Sequence, residues 1–182
     1  MTKDELLPVN CADDILPQYR QTPVGDLLGY QNLDWPFHAY EQAVLLIGMC
    51  MDHRKMLHVP DNFAYILRAG GANFRRIEFK VSFAVAIGGV RAMCLIGHDQ
   101  CGMMHLSERR DAFIRGLVDH AGWTADDAAR HFDKHSGDFE IPDPLEFVRS
   151  ETERLRRRYP KILVAPLFYL VDDGRLYQVR EK

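Results

Sequence analysis

The sequence predicts an α/β fold, a three-layer α/β/α domain built on a mainly parallel four-stranded sheet with a C-terminal antiparallel edge strand. Two observations support this prediction. Short, continuously apolar runs, typical of parallel strands covered on both faces, alternate with segments of helical periodicity. The turn Asp172-Asp173-Gly174 separates the last two extended runs, which predicts that the chain reverses there into a closing strand.

The individual elements follow from apolar runs, helical spacing and stop signals. Five extended segments are expected to form the sheet: 44–48, 63–67, 92–97, 162–170 and 176–179. Four segments of helical character lie between them: 74–87, about 102–118, 124–135 and 143–158. Asn73 can cap the first of these helices and Gly88-Gly89 can end it, while Gly102 is expected to open the second.

The length of 182 residues predicts a single domain over residues 1–182. Residues 1–43 are expected to form an irregular N-terminal arm with short helices, because four prolines interrupt this segment. The arm carries too many apolar residues for a free tail, so they must be buried against the body of the domain or against another subunit. We favour a partner subunit, which predicts a homo-oligomer.

The composition limits the classes of partner. The formal net charge is −3, so no excess of positive charge attracts nucleic acid or an anionic membrane. No apolar run reaches the roughly 18–20 residues of a membrane helix, and the N-terminus lacks the apolar stretch of a signal peptide. The expected location is therefore cytoplasmic, where cysteines are more often metal ligands or buried thiols than disulfides.

Soft metal ligands follow two of the expected strands. Cys50 comes after the first strand, and His98 and Cys101 come after the third. Because open parallel sheets bind ligands beyond the carboxyl ends of their strands, we expect these three side chains to converge. Two thiolates and one imidazole suit Zn²⁺ better than an iron–sulfur cluster, and three protein ligands leave one position for water or substrate. Cys94 is expected to be a core residue and Cys11 an incidental thiol.

Asp52 and Arg54 follow Cys50 by two and four residues and are candidate catalytic residues. In an extended segment this spacing places both side chains on one side, so Arg54 can hold Asp52 ionised. Asp52 would then accept a hydrogen bond from a zinc-bound hydroxide, or ligate the zinc itself in a closed site. The alternative is a loop ion pair, which contributes little where it is exposed.

Taken in order, these motifs resemble those of the β-class carbonic anhydrases. The family signature is Cys-x-Asp-x-Arg after the first strand and His-x-x-Cys-Gly after the third, and the chain has Cys50-Met51-Asp52-His53-Arg54 and His98-Asp99-Gln100-Cys101-Gly102. Between them the family has an Ala-Gly-Gly type turn and a helix ending in Leu-Gly-Val. The chain has Ala69-Gly70-Gly71 and Ile87-Gly88-Gly89-Val90 at these places. The clear match covers residues 44–106.

The resemblance implies reversible hydration of carbon dioxide to bicarbonate by zinc-bound hydroxide. It assigns Cys50, His98 and Cys101 as zinc ligands and Asp52 and Arg54 as catalytic residues. It also implies a homodimer or a homotetramer. Because two thiolates cancel the formal charge of the ion, we expect activity to rise with pH above neutrality. If Gly102 opens a helix, the helix dipole would favour the thiolate form of Cys101.

Two other functions stay open. The same zinc site could hydrolyse a related linear heterocumulene, carbonyl sulfide or carbon disulfide. Alternatively, the protein could be a non-catalytic zinc-binding homologue in which His53 or Asp52 fills the fourth position. His53 stands where the family has a small residue, Leu67-Arg68 stands where it has Arg-Asn, and residues 119–145 show no resemblance. Three histidines are candidate proton shuttles or intruding metal ligands, since imidazole titrates near neutral pH: His53, His58 and His105.

Overall fold

Residues 5–181 are described by a computed structural model, and they contain one sheet of six strands. In chain order these strands are β1 (Leu6–Leu7), β2 (Leu45–Met49), β3 (Ala64–Arg68), β4 (Ala92–His98), β5 (Leu163–Tyr169) and β6 (Leu176–Val179). Across the sheet the order is β1-β6-β5-β4-β2-β3. Strands β3, β2, β4 and β5 are parallel and β6 is antiparallel to β5, so the predicted sheet of four parallel strands with an antiparallel C-terminal strand is confirmed.

One edge of the sheet differs from the prediction. Strand β1 of the N-terminal arm pairs with β6 in antiparallel register, with Leu6 opposite Val179 and Leu7 opposite Gln178. The antiparallel edge of the sheet thus consists of β6, as predicted, and of the two-residue strand β1 beyond it. A two-residue strand shows no alternation that could reveal it in the sequence.

Five α-helices accompany the sheet within residues 5–181. They are α1 (Pro23–Asn32), α2 (Glu78–Ala86), α3 (Arg110–Ala121), α4 (Ala125–Phe139) and α5 (Pro144–Arg158). Thr22 and Asp143 cap α1 and α5 with their side chains, and each helix begins with a proline, whose missing N–H is not needed in the first turn. Within residues 5–181 no helix combines the length and the apolar character needed to cross a membrane.

Helix α2 begins later than the sequence indicated. Asn73 does not cap it, because its side-chain oxygen accepts a hydrogen bond from the backbone N–H of Arg75 (3.1 Å) within a separate turn over residues 74–77. The helix starts at Glu78 and ends at Ala86, just before the two glycines that were expected to stop it.

The sheet separates two apolar layers, which confirms the three-layer architecture. On one face, helix α1 and the arm pack on alternate residues of the central strands, including Leu45, Ile47 and Met49 of β2. On the other face, Leu46 packs in a cluster that includes residues of α2 and α5. This division follows from the pleat, because successive side chains of a strand point to opposite faces.

The N-terminal arm belongs to this core within a single chain. Ile15 and Tyr19 are buried in the same cluster as the central strands. The Gln178 side chain accepts a hydrogen bond from the backbone N–H of Leu16 (2.8 Å) and donates one to the backbone oxygen of Asp14 (2.9 Å). These residues of the arm are thus buried against the body of the domain, and packing of the arm on a partner subunit stays a prediction.

The centre of the sheet determines where the candidate ligands lie. Strands β2 and β4 are parallel neighbours with Met49 opposite Ile96, so their carboxyl ends lie side by side. Cys50 follows the last residue of β2, and His98 is the last residue of β4. Strand pairing alone therefore brings two of the three candidate ligands to one place.

Candidate metal centre

The side chains of Cys50, His98 and Cys101 converge at the carboxyl ends of β2 and β4. One side-chain ligand atom from each lies within 4.8 Å of the other two, and all three residues are buried. The two sulfur atoms are 4.0 Å apart. Two tetrahedral Zn–S bonds of about 2.3 Å would separate their sulfurs by about 3.8 Å, so the spacing suits a zinc ion. The structure thus brings together the three residues that the sequence proposed as ligands, in a group that could bind a metal ion.

His98 shows that the group fits a metal. Its imidazole is buried, and within residues 5–181 neither ring nitrogen has a hydrogen-bond partner outside the group of three candidate ligands. A buried polar group without a partner is costly, so buried polar atoms nearly always have one. A metal ion bound between the imidazole and the two sulfurs would take one of the two ring nitrogens as a ligand.

The two cysteines influence each other's ionisation. The pKa of Cys50 is lowered, chiefly because the thiol of Cys101 donates a hydrogen bond to it, and the same contact together with burial raises the pKa of Cys101. The backbone N–H of Gly71 also points at the Cys50 sulfur, at 3.3 Å. Gly71 has a φ of +62°, which favours glycine, and a Cβ there would lie only 3.1 Å from Ile141. The contact with Cys101 and the N–H of Gly71 therefore favour the thiolate form of Cys50, and a bound cation would favour that of Cys101 as well.

Asp52 and Arg54 form a two-pronged ion pair beside these ligands. The Arg54 Nε atom donates to one carboxylate oxygen of Asp52 (3.0 Å) and Nη2 donates to the other (2.7 Å). The hydrogen bonds from Arg54 hold the pKa of Asp52 well below its ordinary value, in spite of partial burial. The carboxylate thus stays ionised near neutral pH and can only accept hydrogen bonds.

The fold is similar to that of several solved structures, although neither the protein-family models nor the curated protein sequences give a match. β-Carbonic anhydrase isoform I of Trichomonas vaginalis superposes with a TM-score of 0.63 at 18% identity, over 82% of this chain and 91% of that one. A carbonic anhydrase of Glaciozyma antarctica gives 0.61 at 22% identity, over 93% and 98%. A carbon disulfide hydrolase in its apo form gives 0.56 at 20% identity, over 78% and 80%.

The chain has the β-carbonic anhydrase fold. The resemblance found in the sequence motifs is thereby confirmed at the level of the fold, because identities of 18% to 22% carry no more than that. The parallel strands β2 and β4 end next to each other, so the motif after β2 and the motif at the end of β4 lie side by side, as the sequence predicted.

In this β-carbonic anhydrase fold, Gly102 does not begin a helix. A short 3₁₀ turn over Leu106–Arg109 comes first, and α3 starts at Arg110. The expectation that a helix N-terminus at Gly102 stabilises the Cys101 thiolate is therefore wrong. The backbone N–H of Met103 acts on the Cys101 thiol instead and opposes the rise of its pKa, while the N–H of Gly71 is directed at the sulfur of Cys50.

Gln100 connects the two motifs, which the sequence did not reveal. Arg54 Nη1 donates to the Gln100 side-chain oxygen and Nη2 to its backbone oxygen, each at 3.0 Å. The amide of Gln100 in turn donates to Asp172 (3.2 Å) in the loop after β5. Gln100 has a φ of +52°, so this bridge depends on a left-handed turn that a sequence pattern does not predict.

Arg68 and Lys55 are further residues of the site that the sequence reading missed. Arg68 donates to the backbone oxygens of Cys50 (3.2 Å), Asp52 (3.3 Å) and Lys55 (3.2 Å), and thereby holds the loop after β2. The Lys55 ammonium is buried without a hydrogen-bond partner among the described residues. Burial lowers the pKa of Lys55, and the nearby charges of Cys50 and Asp52 oppose this change. The departure at Leu67-Arg68 from the family pattern was the one signal for Arg68.

The three candidate histidines lie in two different places. His53 and His105 line an open polar cleft of about 840 Å³ together with Asp52, Arg54 and Cys101. His58 lies away from this cleft. Its ring packs against that of Phe37, with 4.6 Å between the centroids, and its Nδ1 atom is 3.3 Å from the backbone oxygen of Tyr30. The cleft therefore combines two carboxylates, two guanidinium groups and two imidazoles next to the ligand group.

Proposed function

We propose that this protein is a zinc-dependent enzyme that reversibly hydrates carbon dioxide to bicarbonate, a carbonate dehydratase. One observation carries the proposal. A buried cysteine, histidine and cysteine, with an imidazole that has no hydrogen-bond partner outside this group within residues 5–181, lie beside a carboxylate that a bidentate arginine keeps ionised. The fold of carbonic anhydrases with this donor set supports zinc as the metal.

Each residue has a role that its geometry supports. Cys50, His98 and Cys101 would hold the Zn²⁺ ion, which when bound lowers the pKa of water towards about 7 and so supplies a nucleophile. Asp52 has only acceptor atoms, so it orients the attacking water by accepting its hydrogen bond. Arg54 fixes Asp52 and, through Gln100, the second ligand segment.

A second candidate activity rests on one of the structural neighbours. A carbon disulfide hydrolase shares the fold with a TM-score of 0.56. The same residues could therefore hydrolyse carbon disulfide or carbonyl sulfide, since these molecules share the linear, electrophilic carbon of carbon dioxide.

A homo-oligomeric state and a cytoplasmic location stay predictions of the sequence.

The test is a stopped-flow hydration assay on protein whose metal content has been measured. Wild type should hold one zinc per chain, and Asp52→Asn should retain the zinc while its rate falls by about 100-fold or more, as expected for loss of a group that positions a proton. Asp61→Asn is the matched control, because Asp61 is an exposed carboxylate outside the cleft.

Parallel assays of hydrogen sulfide release from carbon disulfide and carbonyl sulfide separate the two activities. A zinc-loaded wild type that is no faster than Asp52→Asn on every substrate would contradict an enzymatic role. The protein would then be a non-catalytic zinc-binding homologue.

A further inference from the structure

One cation near the metal-ligand group has no role in the proposed function. Lys55 has only 1% of its surface exposed and is among the largest completely buried side chains of the described chain. Its ammonium group has no hydrogen-bond partner within residues 5–181. Burial of a charge is costly, so buried charges are normally paired with an opposite charge or take part in a metal site. Some other group must therefore compensate the charge of Lys55.

Lys55 lies beside the candidate ligands. Its backbone oxygen accepts a hydrogen bond from Arg68 (3.2 Å), and the same guanidinium binds the backbone oxygens of Cys50 and Asp52. These three carbonyls are thus gathered around one side chain. The charges of Cys50, Asp52 and Cys101 act on the Lys55 ammonium, and its charge in turn favours the ionised form of each of them.

Lys55 would lose this compensation once a zinc ion is bound. The two thiolates then cancel the formal charge of Zn²⁺, and His98 is neutral as a ligand. Asp52 is already engaged in its ion pair with Arg54. Arg68 is a second cation, but it is exposed, so water screens its charge, whereas the charge of Lys55 lies in a medium of low dielectric constant. The metal-loaded group would therefore retain one buried positive charge.

The polar cleft does not supply the missing negative charge. Apart from Asp52 and Arg54, its carboxylate and guanidinium groups belong to Glu108 and Arg109, which are exposed and opposite in sign. The fourth position of the metal, which three protein ligands leave open, can accept a negative charge from solution. The Lys55 nitrogen is itself buried, so an anion at that position would experience its charge without contact.

We propose that the Lys55 ammonium is the buried counter-charge of the fourth position of the metal site, where it favours an anionic ligand over a neutral one. The inference rests on the proposed function and adds to it a residue outside the two sequence motifs. Two thiolates reduce the attraction of the zinc ion for anions, and a cation beside their sulfurs offsets this effect. Because the nucleophile and the product of the proposed reaction are both anions, the same charge favours both.

Cobalt(II) in place of zinc tests the inference without catalysis, because its visible spectrum responds to the ligand at the fourth position. Lys55→Met removes the charge and keeps an unbranched side chain. Thiocyanate, a monovalent anion, should bind to the variant about tenfold more weakly than to the wild type. Imidazole in its neutral form should bind to both proteins alike. A merely distorted site would instead lose affinity for both probes.

Lys161→Met is the matched control. Lys161 is exposed and precedes β5, which is parallel to β4, so it lies at the end of the sheet opposite to the candidate ligands. This variant should bind both probes as the wild type does. In the metal-free protein, Lys55→Met should unfold at the same urea concentration as the wild type or at a higher one, because the change removes a buried charge.

Failure of this inference and failure of the proposed function give different results. Unchanged thiocyanate affinity in Lys55→Met, an equal loss of imidazole affinity, or a less stable metal-free variant would overturn the inference, and an active zinc-loaded wild type would leave the proposed function standing. The expected loss of thiocyanate affinity in a protein that acts on no heterocumulene would overturn the proposed function alone. A wild type that holds no metal would overturn both.

Discussion

Arg68 shows how one side chain can determine the shape of a metal-ligand loop. Its guanidinium donates to three backbone oxygens between Cys50 and Lys55, and a rigid fork of donors is suited to such a task. The loop it holds presents both the first candidate ligand and Asp52. Arg68 therefore acts through the backbone of the ligands rather than on a metal or a substrate.

We expect Arg68→Lys to lower the affinity for zinc by about 10- to 100-fold, because supporting contacts of this kind orient the ligands. The measurement is competition with a chromophoric chelator. Arg91→Lys is the control, since Arg91 also donates to three backbone oxygens, those of Val85, Gly89 and Val90, but away from the site. Equal zinc affinities in the two variants would contradict a role for Arg68 in the ligand loop.

Some residues of the site can be placed from the sequence because they follow predicted strands. Others cannot, because their contacts depend on the backbone conformation of a turn. Cys50, His98 and Cys101 could be placed together because each follows a strand whose apolar run is plain in the sequence. Gln100 could not, because its contact with Arg54 depends on a backbone with positive φ. Side chains that stabilise a loop through its carbonyls leave no periodic signal.

Helices α2 and α5 show how charge joins two elements on one face of the sheet. Glu78 in the first turn of α2 pairs with Arg154 and, at 3.1 Å, with Arg158 of α5. Arg154 also pairs with Glu151, which is completely buried. The hydrogen bond from Arg154 is the main reason that the pKa of Glu78 lies below its ordinary value of 4.5.

We expect Glu78→Gln to lower the free energy of unfolding by about 1 kcal/mol at pH 7. Because the folded-state pKa of Glu78 is depressed, its contribution is complete above pH 4.5 and is lost as the pH falls through the folded pKa. Urea unfolding of wild type and variant should therefore differ at pH 7 and converge in acid. Glu153→Gln is the control, since its pair with Arg157 is long (3.9 Å) and exposed; a constant difference at every pH would contradict the assignment.

The elements that sequence reading placed well are those with long apolar or periodic signals. The closing strand is found at 176–179, as predicted, and α5 at Pro144–Arg158 differs from the prediction by one residue. The start of α2 was misplaced because Asn73 caps a turn as readily as a helix, and only the fold decides which. Strand β1 was missed because its pairing with β6 joins residues at opposite ends of the chain.

At the scale of the whole molecule, one apolar surface has no cover within residues 5–181. Phe79, Phe83 and Ile87 recur at helical spacing on the outer side of α2, with 82%, 50% and 73% of their surface exposed. Beside them lies β3, an edge of the sheet whose Tyr65 and Ile66 are exposed, one on each face. An edge strand with apolar residues on both faces is typical of a sheet that continues into another chain.

We expect this surface to join two copies of the chain, because a uniformly apolar patch is complementary to itself about a two-fold axis. Covering these five side chains removes roughly 500 Å² per copy and about 1,000 Å² in a pair, the lower limit for a specific interface. Sedimentation should show a wild-type dimer and a folded monomer for Phe79→Glu combined with Ile87→Glu. Val118→Glu, on an exposed face of α3, should remain dimeric. A monomeric wild type, or an unaffected double variant, would contradict this interface.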